Sequence, residues 1–114
     1  MSDIVAHSKD AYEAIRAINH AAITAAHPAP IVYSILGNLG NLGLDQALRE
    51  LGEGLERSLE MYAVGEDDGS DPAVAVSVAI DLLTQARNHA DRMCVLIRRA
   101  QGAISGQHYD ELPK

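Results

Sequence analysis

Residues 71 to 106, Asp71-Pro72-AVAVSVAIDLLTQARNHADRMCVLIRRAQGAIS-Gly106, decide the fold of this chain. Asp71 is placed to accept a backbone hydrogen bond as N-cap, and Pro72, at the first helical position, has no amide hydrogen to leave unsatisfied. Ala79, Leu82, Ala86, Ala90, Met93, Ile97, Ala100 and Ile104 then recur at steps of three and four, with Leu83 and Leu96 widening the stripe. That period predicts one unbroken α-helix. Val74, Val76 and Val78 alternate as in a short strand, but a cap precedes them and no turn residue comes after, so the helix is preferred. Gly106 is the expected stop, with Gly102 one turn sooner, and Arg98 and Arg99 complement the dipole in the closing turns. Such a helix has about 32 residues and a length of about 48 Å. A compact globule of this chain length is only about 35 Å across. The sequence therefore predicts an all-α, elongated antiparallel bundle of three to four helices, or a protein with a partner.

Outward from this rod, Gly65-Glu66-Asp67-Asp68-Gly69-Ser70 separates it from a middle region, and His27-Pro28-Ala29-Pro30 separates the middle from a first helix. The first helix is expected from about Ser8, or from Ser2 with a looser start, to Ala26, with Ala11, Ile15, Ile18, Ala22 and Ala25 on its buried side. In the middle, Ile31, Ile35, Leu36 and Leu39 suggest one helix. Leu44, Leu48, Leu51, Leu55, Leu59 and Tyr62 mark a cleaner second stripe. Between them Leu36-Gly37-Asn38-Leu39-Gly40-Asn41-Leu42-Gly43 carries three glycines, each costing a helix about 1 kcal/mol against alanine. This predicts a break or sharp kink near Gly40 to Gly43, with Asn41 or Asp45 capping the next helix. The alternative is a continuous helix of about 33 residues, folded as a long hairpin against the last one.

The chain has 114 residues and reads as one domain, residues 1 to 114, with a short flexible tail over 107 to 114. Without Phe or Trp, its core must be built from Leu, Ile, Val and Ala. The single cysteine, Cys94, precludes an internal disulfide and fits a reducing compartment. No apolar run approaches the ~20 residues of a membrane span, and the acidic start at Asp3 is unlike a signal peptide. The expected location is the cytoplasm.

Charge is uneven. The stretch from Leu42 to Asp71 supplies the whole formal net charge of −7, with nine acids against Arg49 and Arg57, whereas Pro72 to Ile104 is net +2. Acidic residues on the third helical segment form a solvated face, with docking of a basic protein partner as the second reading. Nucleic-acid binding is disfavoured, because the helix that would enter a groove carries mostly glutamates and lysine occurs only at Lys9 and Lys114.

No arrangement of residues commits the chain to a reaction, so no catalytic, cofactor-binding or metal-ligating residue is assigned. His20 and His27 lack a carboxylate or cysteine in ligand spacing. Arg16 and His20 have three residues between them, one short of the spacing in one class of all-helical ribonucleases. The acids Glu66, Asp67, Asp68 and Asp71 do not follow the order of a calcium-binding helix-loop-helix loop. Glu50, Glu53 and Glu56 give half of the paired acidic motif that all-α hydrolases use to hold magnesium, but Asp81 and Asp91 on the long helix do not complete it.

Val32-Tyr33-x-x-Leu36-Gly37, Gln46-Ala47-Leu48-x-x-Leu51, Gly54-Leu55-Glu56-Arg57-Ser58-Leu59, Glu66-Asp67-Asp68-Gly69 and Asp71-Pro72 resemble a set of small, uncharacterised all-helical actinobacterial proteins, some near mobile or plasmid-transfer genes. The resemblance covers about residues 30 to 106 and implies a fold and a source, with no activity. The chain's size and Tyr62-x-x-x-Glu66 are also similar to the secreted Trp-x-Gly helical-hairpin family, although Asn41-Leu42-Gly43 stands in place of Trp-x-Gly. The expected function is a non-catalytic protein–protein interaction module, a homodimer in which Val76, Cys94 and Val95 meet a second copy. The alternatives are a small metal-dependent all-α hydrolase and a secreted helical hairpin.

Overall fold

The computed structural model describes residues 3–23 and 25–113, and the regular structure among them is all α-helical. Four helices succeed one another: α1, Asp3–Ala22; α2, Ala29–Leu39; α3, Leu44–Met61; and α4, Pro72–Ala103. The long C-terminal helix has the 32 residues that its sequence requires. At its start the Asp71 carboxylate accepts a hydrogen bond from the Ala73 amide at 3.0 Å, and Pro72 opens the first turn. A cap of this kind contributes about 1 kcal/mol. The valine-rich run from Val74 to Val78 is helical, as the preceding cap dictates. At the other end α4 stops at Ala103, short of Gly106, and Ser105 and Gln107 continue in turn-like hydrogen bonds to Gly102 and Ile104.

The glycine-rich middle region breaks. α2 ends at Leu39 and α3 begins at Leu44, with Gly43 at φ 72° in the left-handed region that side chains avoid. Neither Asn41 nor Asp45 caps α3, since Gly43 holds the N-cap position without a side-chain bond. Asn41 instead closes the end of α2, its Nδ2 donating to the Gly37 carbonyl at 2.8 Å. The Arg98 guanidinium reaches across from α4, donating to the Gly40 carbonyl at 3.2 Å and to Asn41 Oδ1 at 3.1 Å. Arg98 thus satisfies one of the carbonyl groups that the end of a helix leaves open. One turn on, Gln101 Nε2 donates to the Tyr33 carbonyl at 3.0 Å. Gly40 is buried because the helices nearly touch there: a Cβ on it would stand 3.4 Å from both Ile97 and Arg98 and 3.1 Å from the Leu36 carbonyl. Replacing Arg98 by Ala is expected to lower stability by about 1–2 kcal/mol, as two hydrogen bonds from a charged donor are lost. Urea denaturation monitored by circular dichroism measures it.

α2 and α3 lie end to end along α4 and antiparallel to it, α2 beside its C-terminal third and α3 beside the rest. The seam on α4 runs through Val76, Ile80, Leu83, Arg87, Ala90, Cys94, Ile97 and Gln101. Val76 and Ala90, 8% and 6% exposed, are its most enclosed apolar residues. From α3 the closest approach comes at the buried Gly52, whose missing side chain admits Leu83 and Ile80.

α1 departs from expectation. It ends at Ala22, and Ala11, Ile15, Ile18, Ala22 and Ala25, expected to be buried, are all exposed. Among the described residues it makes no packing contact with the other three helices, so the first helix is not laid along α4. Its local contacts include Ser8 Oγ to the Val5 carbonyl at 2.6 Å and Arg16 over the Tyr12 ring at 5.7 Å. Most helical stability comes from packing of an amphipathic face. Backbone amides of α1 are therefore expected to exchange with deuterated solvent well before those around Ala90, which hydrogen-exchange mass spectrometry resolves. The molecule extends 70 × 26 × 21 Å, with a radius of gyration of 19.9 Å where a compact chain of this size has about 13 Å.

Candidate functional site: an uncovered apolar face

The two sides of the α3–α4 pair differ in chemistry. One side holds a groove of about 210 Å³ whose polar lining is Arg49, Glu53, Glu56, Thr84 and Arg87 over a floor of Gly52, Ile80 and Leu83. Arg49 Nη2 lies 3.6 Å from Glu50 Oε1, with both side chains about half exposed. Such a surface pair contributes little, about 0–1 kcal/mol. Arg87 Nε is enclosed and makes no hydrogen bond.

The other side is apolar. With about 100° of rotation per residue, Leu44, Leu51 and Leu55 of α3 point away from Arg49, Glu53 and Glu56, and Tyr62 follows directly after the helix. On α4, Val78, Leu82, Met93 and Leu96 likewise point away from Thr84 and Arg87. Because the two helices run antiparallel, these flanks come to one side of the pair and form a continuous face. All eight side chains are exposed, Leu51 to 53% and Leu82 to 59%. Small residues of α4, Ala79 and Ala86, each half-buried, line the trough between the flanks. His89 lies exposed at the margin of the same face. Apolar patches of this extent mark sites of macromolecular contact on proteins.

Of the residues expected to meet a second copy, Val76 is buried within the protomer's own seam. Cys94 is half-buried and Val95 exposed, and both line a recess beside Gly40, Asn41, Asp91 and Arg98, on the polar side. Leu51, Leu55 and Leu82, which lie on the predicted apolar stripes, stand outside the core. The signal that finds them is stripe width. On both helices the apolar arc is wider than one neighbouring helix can cover.

Among the described residues no three His, Cys, Asp or Glu side chains stand together as metal ligands. The acidic loop is organised internally, with Asp68 Oδ1 accepting from the Ser70 amide at 2.9 Å and from its hydroxyl at 2.6 Å. These two bonds hold the Asp68 carboxyl below its usual pKa. Asp71 is occupied as the α4 cap. Among the same residues no helix is long and apolar enough to cross a membrane. No protein-family model, curated protein or solved structure matches this chain.

Proposed function

We propose that this protein is a non-catalytic protein–protein interaction module that associates with itself. The supporting observation is the apolar face of α3 and α4, which places Leu51, Leu55, Val78 and Leu82 in water. The protomer exposes 9173 Å² in total, whereas a compact monomer of 12.2 kDa exposes about 6,100 Å². That difference includes all of α1, which packs against no other helix, as well as the flank of α3 and α4. The acidic surface of α3 and of the loop from Glu66 to Asp71 offers a second protein partner a one-signed field, which steers association with a basic surface. The module works in the cytoplasm, where the lone Cys94 stays reduced.

Light scattering coupled to size exclusion tests the reading. A mass of twice 12.2 kDa is expected at micromolar concentration. A chain that stays monomeric up to about 100 μM, where association is worth less than about 6 kcal/mol, overturns self-association.

A further inference from the structure

We infer that α2 is a releasable strap: it lifts off the C-terminal third of α4 and unwinds while α3 stays paired with the rest of α4. The motion lies within one protomer and needs no second copy.

α2 is held from one direction only. Among the described residues it touches α4 and makes no contact with α3 or α1, so neither of its neighbours in the chain braces it. The link to α3, Asn41 to Gly43, ends in a glycine at φ 72° with open space where a side chain would stand. Glycine turns the backbone there at no steric cost. Before α2, residues 25 to 28 carry no regular structure and follow a helix that packs on nothing. Both ends of α2 are thus free to move with it.

The attachment to α4 is thin. No residue within α2 is fully buried. Val32, Ile35, Leu36 and Leu39 are half-buried. The directional ties are the Gln101 bond to the Tyr33 carbonyl and, just past the helix, the Arg98 bonds to Gly40 and Asn41. The α3–α4 half, by contrast, encloses Gly52, Val76 and Ala90. Length separates the two halves further, since α3 has 18 residues and α2 has 11. An isolated helix shorter than about 12–15 residues is marginal in water, so α2 loses its helix when it loses α4, and undocking and unwinding are one event. Segments with few buried contacts open at lower free energy than the core. Release uncovers Ile97 and Gln101 of α4 and frees Ile35, Leu36 and Leu39 of the strap, a surface that the closed protein withholds.

Native-state hydrogen exchange with a substitution at the far end of the hairpin tests the strap. Leu59 of α3 is half-buried and lines a recess with Val76 and Ile80, remote from α2. Leu59→Ala weakens the α3–α4 pairing, which a strap-open form still contains, so the closed and open forms are destabilised alike. Amides from Ile35 to Leu39 should then keep their exchange rates, while those from Leu51 to Leu55 exchange at least about 10-fold faster. Equal acceleration in both helices means that they open as one unit and overturns the strap. The unmutated protein gives the same decision without a variant. In sub-denaturing urea the α2 amides should be the less protected set, and their exchange should rise less steeply with urea than that of α3, because a smaller surface is exposed. The same protection and the same slope in both helices overturn the strap.

Discussion

Ala90→Asp is expected to abolish the folded hairpin at neutral pH. Ala90 is 6% exposed at the middle of the α4 seam, one turn from the enclosed Arg87, and a longer side chain there displaces the neighbouring helix. Overpacking a close helix contact and desolvating a carboxylate there together cost about 3 kcal/mol or more, a large share of the 5–15 kcal/mol that typical domains possess. With so narrow a core the expectation is loss of the cooperative urea transition at 25 °C. The pH dependence identifies the cause. Burial raises the folded-state pKa of the introduced acid above its unfolded value of about 3.9. The penalty is then fully present above the folded pKa and vanishes below the unfolded one. Part of the lost helicity should return near pH 4. Ala90→Ser, which adds a hydroxyl and no charge, should leave a measurable transition. A fully folded Ala90→Asp variant at pH 7 would show that the seam opens at this level.

Leu51→Glu combined with Leu82→Glu should give the opposite pattern, with folding kept and association lost. Both leucines are more than half exposed in the protomer, so their replacement removes little intramolecular packing, and glutamate is a good helix former. In the dimer the four added charges would be buried against apolar partners. A rise in dissociation constant of at least about 100-fold, equivalent to about 2.7 kcal/mol, is expected. Light scattering should report the monomer mass, while far-ultraviolet circular dichroism matches that of the unmutated monomer at high dilution. Glu53→Gln on the opposite, polar side serves as the control and should leave the mass unchanged. A Leu51→Glu, Leu82→Glu protein that remains dimeric places the interface elsewhere.

The features legible in the sequence are those that neighbouring residues decide. Asp71 and Pro72 specify the start of α4 through one hydrogen bond and one missing amide, and both act within a single turn. The run of glycines between Leu36 and Gly43 weakens the helix through backbone entropy, and Gly43 supplies the left-handed turn that ends it. The seam is not legible, because periodicity reports an apolar arc without saying which part another helix will cover. On α4 the stripe from Ala79 to Ile104 straddles the seam and the open flank, so Ala90 and Ile97 turn inward while Leu82 and Met93 stay in water. On α3 the inward direction is set by Gly52, an absence of side chain that a search for leucines passes over. Arg98 shows the same limit. Its position near the end of α4 suggests interaction with its own helix dipole, whereas the structure commits it to the Gly40 carbonyl, 58 residues away in sequence. The amphipathic pattern of α1 marks a surface fit for packing, and nothing within those residues names a counterpart inside the protomer.

The independence of α1 makes residues 25 to 28 a splice point. They carry no regular structure and are largely open to solvent, and the hairpin beyond them is complete without α1. A reporter, an affinity tag or an entire foreign fold grafted there would load neither the seam nor the apolar flank, so the protein can be tethered to a surface by this end with that flank free.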